Sequence, residues 1–174
     1  MGAVNVWSFF KKKKPSYNLR YAQDKDIPFI LHEVGDGLNK GYFAFDHTNG
    51  LGEFSAQLQR ITAAHANSEK IGNVLFVFEE AKATTPLAFA LLAAGQADHK
   101  LPQHLILVMF GVSSSSRGKG LGSLFLQYLM AHMAGMPVLA SCLPASKVMA
   151  DMLQRHNFSQ ISVSPRGKRT FVHS

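Results

Sequence analysis

Arg117-Gly118-Lys119-Gly120-Leu121-Gly122 stands between an apolar run, Leu105-Ile106-Leu107-Val108-Met109-Phe110-Gly111-Val112, and a helical pattern carried by Leu124, Phe125, Tyr128, Leu129 and His132. The order is strand, glycine-rich turn, helix N-terminus. Amides in the first turn of a helix have no partner within it, and the aligned peptide dipoles add roughly half a positive charge there. Glycines let a phosphate approach the backbone closely, so this order predicts an anion cradle.

The rest of the chain reads outward from that point. Downstream, Gly135 and Pro137 end the helix at about Ala134, and Val138–Cys142 reads as a strand. Pro144 opens a helix to about His156 with Val148, Met149, Met152 and Leu153 inward, and Asn157 suits the left-handed position after it. Phe158–Val163 and Arg169–Val172 read as strands around the turn Ser164-Pro165-Arg166-Gly167. Upstream, Leu87–Ala94 and Asn73–Glu79 are short apolar segments with hairpin-length connectors, which favours antiparallel neighbours. Before them come a helix from about Gly52 to Asn67, a loop over 39–50 containing Tyr42, Phe43 and Phe45, a helix from Lys25 to about Leu38, and a strand at Tyr17–Ala22. Asp24 caps the first helix, and its inward face holds Ile27, Ile30, Leu31 and Val34. The expected fold is α/β (α+β): a mixed, mostly antiparallel sheet of about six or seven strands with about four helices, parallel only where a helix crosses over.

The 174 residues suit one domain over 17–174, preceded by an appendage over 1–16. That appendage joins Val6-Trp7-Ser8-Phe9-Phe10 to Lys11–Lys14. It reads either as a weak anchor for anionic lipid or RNA, or as a solvated tail. The charge of +7 favours an anionic ligand: a nucleotide cofactor, nucleic acid or a membrane surface. The apolar runs fall short of the ~18 residues a membrane span needs, and the lysines follow the N-terminal apolar segment rather than lead it, unlike a secretory signal. A single cysteine, Cys142, excludes an intrachain disulfide, fits a reducing cytoplasmic setting and reads as a buried strand residue. None of the eight histidines has metal-ligand spacing to a suitable partner, so no metal site is expected.

With the glycine loop after the fourth strand, this order resembles the GNAT superfamily of acetyl-CoA-dependent N-acetyltransferases. Their cofactor loop reads Arg or Gln, two residues, Gly, any residue, then Gly or Ala. Arg117, Gly120 and Gly122 match it, and Val112 stands where the family has a valine ending the strand. Leu19-Arg20-Tyr21-Ala22 with Asp26-Ile27-Pro28 resembles the family's opening strand and helix. Leu153-Gln154-Arg155-His156-Asn157-Phe158 resembles a late segment that commonly reads Tyr, three residues, Gly, Phe. The resemblance spans roughly residues 17–172.

What the resemblance implies is acetyl transfer from acetyl-CoA to a primary amine. The cofactor would lie in a V between the fourth and fifth strands. Its pyrophosphate would meet the amides of Arg117, Gly118, Lys119, Gly120, Leu121 and Gly122, and its pantetheine arm the strand end from Phe110 to Val112. Ser113–Ser116 and the Lys119 side chain either add phosphate contacts or face solvent. Two departures stand out. Leu153 occupies the position of the family's usual general acid, a tyrosine, which leaves Ser141, Cys142 or Ser146 for that role. The fourth strand also lacks the family's common carboxylate base, which leaves His104, or Asp98 and His99 through water. The acceptor is open among a small molecule, a protein amine and an aminoacyl-tRNA, with the charge favouring one borne on an anionic macromolecule; a homodimer is compatible with the resemblance. Two other classes are weighed beside the enzyme. One is a GNAT-fold module that binds CoA or a partner without turnover. The other is a nucleic-acid binder using Lys11–Lys14, Arg166, Lys168 and Arg169.

Overall fold

A seven-stranded sheet in the order β1-β2-β3-β4-β5-β7-β6 carries the fold. The computed structural model describes residues 16–45, 50–69, 71–83, 85–97, 103–133 and 135–174. Lys11–Lys14, Asp98 and His99 lie outside them. The strands are β1 (Tyr17–Tyr21), β2 (Asn73–Glu80), β3 (Pro86–Gly95), β4 (His104–Val112), β5 (Val138–Cys142), β6 (Ser159–Val163) and β7 (Arg169–His173). The helices are α1 (Ile27–Asn39), α2 (Gly50–Ala66), α3 (Leu121–His132) and α4 (Lys147–Arg155). Among the described residues, no helix is long and apolar enough to cross a membrane.

Alternation along the strands sorts side chains to two cores. Leu75, Val77, Phe89 and Leu91 meet the apolar faces of α1 and α2. Phe76, Phe78, Ala88, Ala90 and Leu92 meet α3 and α4 from the other side. On that second side Phe125 of α3 stacks on both Phe78 and Phe110, with ring centroids 5.2 and 4.7 Å apart. The element order matches the sequence reading. The first helix is entered through a short 3-10 turn at Asp24–Asp26, and Gln23 and Asp26 form the capping box. Asp24 instead accepts a hydrogen bond from Thr62 of α2. Helix α4 is shorter than expected. Its Val148 is 80% exposed, because it lies roughly 140° around the helix from the buried Leu153.

Strand β4 changes parity halfway. Leu92 pairs with Leu107, but the next residue back on β3, Leu91, pairs with Met109, so Val108 is an extra residue on β4. Leu107 therefore faces the α3–α4 core and Met109 the α1–α2 core, although they stand two positions apart, a spacing that puts both on one face of a regular strand. A bulge of this kind bends its strand and increases local twist. It falls where β4 leaves β5: their parallel ladder runs only from Leu105↔Val138 to Leu107↔Ala140.

His65, in the last turn of α2, lies against Tyr21 with ring centroids 4.7 Å apart. Neither of its ring nitrogens has a hydrogen-bond partner of ordinary geometry among the described residues. Burial lowers its pKa below the usual 6.5, with only partial offset from the Asn73 backbone. The unfolded chain then takes up a proton near 6.5 that the folded one resists, so stability is lost as pH falls through that range. The melting temperature is expected to fall between pH 8 and pH 5, and His65→Phe, which keeps the ring packing, to flatten part of that slope. An unchanged slope in the variant would assign the pH dependence to other groups.

Candidate active site

Beyond Leu107 and Ala140 the two parallel strands part, and a cleft of about 1500 Å³ opens between them. Its floor is the free edge of β4 from Val108 to Val112, and one end runs into Gly118, Gly120, Leu121 and Gly122. Gly120 is the N-cap of α3 with φ 77°, a left-handed conformation that glycine takes without the penalty of a Cβ. The first amide satisfied within the helix is that of Leu124, bonded to the Gly120 carbonyl at 3.1 Å. The amides of Leu121, Gly122 and Ser123 lie upstream of that bond, and no side chain caps the end. Among the described residues no strand pairs with this edge past Leu107, and it leads directly to a helix N-terminus without a side-chain cap.

The Arg117 side chain turns away from the cradle. Its Nε donates to the Val112 carbonyl at 3.0 Å, and its two terminal nitrogens meet Asp36 at 2.7 Å and Glu33 at 2.8 Å. The second Glu33 oxygen accepts the Ser114 amide at 3.1 Å. Helix α1 therefore fixes both the start of the loop and its arginine. Lys40 and then Arg117 hold the Asp36 carboxyl below its usual range. Lys119 folds back to donate to the Ser115 carbonyl at 2.8 Å and is absent from the cleft wall. Its neighbours Ser113 and Ser115 bond each other at 2.9 Å.

Of the residues expected to do chemistry, Ser141 and Ser146 line the cleft and His104 does not. Ser141 shares a hydrogen bond with Thr170 at 3.2 Å. Ser146 donates to the Tyr42 carbonyl at 3.2 Å, tying the α1–α2 connector to the start of α4. Cys142 also borders the cleft, but burial pushes its thiol pKa up to about 11, which makes it a poor proton donor. His104 opens β4, eight residues from Val112, or about 26 Å along the strand. It is buried there against Gly95, where an added Cβ would fall 2.2 Å from the ring. That position sets it apart from the cleft.

Leu153 is fully buried in the α3–α4 core and is not part of the cleft wall; α4 gives that wall Val148, Met149, Met152 and Arg155, with His156 just beyond its end. A hydroxyl at position 153 on this backbone would point into packed hydrocarbon. Leu153→Tyr is expected to overpack that core at a cost of about 1–3 kcal/mol, read as a lower melting temperature, with no gain in turnover.

Four cleft residues escaped the sequence reading. Ser123 and His156 bond at 2.5 Å, linking the first turn of α3 to the end of α4. Glu33 had a legible signal, a carboxylate among Ile27, Ile30 and Val34 on the buried face of an amphipathic helix. Glu53 had none, since an acid in the first turn of a helix is ordinary.

Solved structures share this fold. An N-acetyltransferase from Staphylococcus aureus Mu50 is 20% identical, with a TM-score of 0.66 over 91% of this chain and 98% of that one. An aminoglycoside N(6')-acetyltransferase from Legionella pneumophila is 12% identical, with a TM-score of 0.69 over 92% and 93%. The chain has the GNAT fold. A third structure, a Salmonella typhimurium acetyltransferase that modifies the N-terminal serine of ribosomal protein L7/L12, is 14% identical, with a TM-score of 0.65 over 92% and 95%. No protein-family model and no curated protein matches the sequence.

Proposed function

We propose that the chain is an acetyl-CoA-dependent N-acetyltransferase. One observation carries the reading: the unpaired edge of β4 runs into the uncapped amides of α3 within one cleft. That edge offers alternating amides and carbonyls to a ligand arm that itself carries amides. The α3 amides suit a pyrophosphate. A RimL ribosomal L7/L12 α-N-protein acetyltransferase, 13% identical with a TM-score of 0.63 over 92% and 94%, is known in complex with coenzyme A, which supports placing the cofactor in the corresponding V.

Acetyl-CoA supplies an activated acyl thioester, and the protein supplies position. The Leu121, Gly122 and Ser123 amides hold the pyrophosphate, while the Glu33–Arg117–Val112 contacts keep the loop against the end of β4. The backbone beside Val108 and Met109 orients the thioester carbonyl and steadies charge developing on its oxygen. Hydroxyls at Tyr42, Ser141 and Ser146 border the cleft and can return a proton to the departing thiolate. The acceptor is a primary amine reaching the fork from the side of the α1–α2 connector.

Calorimetric titration with acetyl-CoA, followed by thiol release with a panel of primary amines, tests this. Binding with amine-dependent thiol release is the expected result. Absence of acetyl-CoA binding would remove the enzyme reading, and binding without turnover would favour a CoA-binding module.

A further inference from the structure

The cleft wall contains two carboxylates among the described residues, Glu33 and Glu53. Glu33 is 3% exposed, and both of its oxygens are engaged, one by the Ser114 amide and one by Arg117. Taking a proton there would release the loop that it anchors. Glu53 differs in each respect. It stands in the first turn of α2, is exposed, and makes no ion pair among the described residues. The same cleft wall also carries Tyr42, Phe43, Phe45 and Phe54. Phe54 is buried in the α1–α2 core and packs against Phe45 at 5.4 Å between centroids. Phe45 in turn covers Gly50, where an added Cβ would fall 2.5 Å from its ring. Phe45 and Phe54 line the same cleft wall as Glu53, and a wall that carries a carboxylate and aromatic rings attracts an ammonium group both by charge and by the ring quadrupole.

We propose that Glu53 receives the acceptor's ammonium and takes its proton, so that the acceptor is a cationic primary amine carried on an apolar or aromatic body. The inference rests on the acetyltransferase reading. The Glu53 carboxylate removes one proton from the ammonium and leaves a neutral amine. The nitrogen lone pair forms the C–N bond to the acetyl carbon as the C–S bond breaks, and sulfur leaves with the electron pair. The second nitrogen proton passes to that thiolate, giving amide and free thiol, and Glu53 returns its proton to solvent. The other titratable groups on the cleft wall are Tyr42 on the connector, Cys142 on β5, His156 after α4, and the cations Arg60, Arg117, Arg155 and Lys168. His156 is engaged by Ser123 at 2.5 Å, and burial raises the Cys142 thiol pKa to about 11.

The test compares full-length wild type with Glu53→Gln and Glu53→Asp, using acetyl-CoA with benzylamine, phenethylamine and lysine methyl ester. At pH 7, Glu53→Gln is expected to lower kcat/KM for the amine about a hundredfold, the usual contribution of a general base, with acetyl-CoA affinity unchanged. Glu53→Asp should recover part of the loss. The gap between wild type and Glu53→Gln should close as pH approaches the amine's own pKa, about 10 for an alkylamine, because solvent then performs the deprotonation. A merely structural role would not produce that convergence. Turnover equal in wild type and Glu53→Gln overturns this assignment and leaves the enzyme reading standing. Wild-type binding of acetyl-CoA with no turnover on any of the three amines overturns the assignment of acceptor and base together, and no binding at all removes the enzyme reading beneath it.

Discussion

Replacing Gly120 with valine is expected to weaken acetyl-CoA binding roughly a hundredfold while lowering the melting temperature by only a few degrees. The two effects separate because their causes differ. The φ of 77° puts a β-branched residue in a region that costs L-amino acids about 1–2 kcal/mol. No atom lies within 4 Å of the position a Cβ would take, so nothing inside the protein is crowded. The valine methyls instead occupy the space through which a phosphate reaches the Leu121, Gly122 and Ser123 amides. Losing two charge-assisted hydrogen bonds, at about 1.5 kcal/mol each, accounts for the affinity change. Calorimetry and thermal melts on the same samples read both quantities. Unchanged affinity would move the anion site away from this loop.

Glu33→Ala is expected to have the complementary signature, a loss of stability and of affinity together. The substitution leaves the Ser114 amide without its acceptor and strips one of three partners from Arg117. Breaking a buried ion pair costs about 3–5 kcal/mol, but the Arg117 side chain is 34% exposed and keeps Asp36, so about 2 kcal/mol is the better figure here. For a chain of this size that corresponds to roughly 4–8 °C in melting temperature. Acetyl-CoA affinity should fall about tenfold as the loop loosens, with Glu33→Gln intermediate because its amide oxygen still accepts the Ser114 proton. Affinity unaltered alongside a lower melting temperature would confine Glu33 to a packing role.

Strand and helix order was legible because each turn had its own chemistry. Asn157 takes the left-handed conformation after α4, and Gly135 does so after α3. The glycine loop was legible for the same reason. The bulge at Val108 was not. Leu105–Phe110 is apolar throughout, its side chains enter both cores, and a change of parity leaves no trace in an unbroken apolar run. The direction of Leu153 was partly legible, since its helical spacing from Met149 and Met152 already placed it inward. Alignment on the late segment nevertheless drew attention to it as a missing acid. His104 looked like a candidate because its residue type suits proton transfer, yet position along β4 decides, and it sits at the wrong end. The Ser123–His156 contact joins residues 33 apart in sequence and depends on how α3 and α4 approach each other, which no local pattern records.

The fork between β4 and β5 bears on where recognition is encoded. What it offers a ligand past Leu107 is main-chain amide and carbonyl, a pattern that every residue except proline supplies in full. Side chains from Val108 to Val112 set the width and polarity of the slot, while its pairing pattern belongs to the polypeptide itself. Such a site can drift in sequence without losing its shape. Chains only 12–20% identical can therefore keep the same fold while the walls on α1, α2 and the connector between them remain free to change.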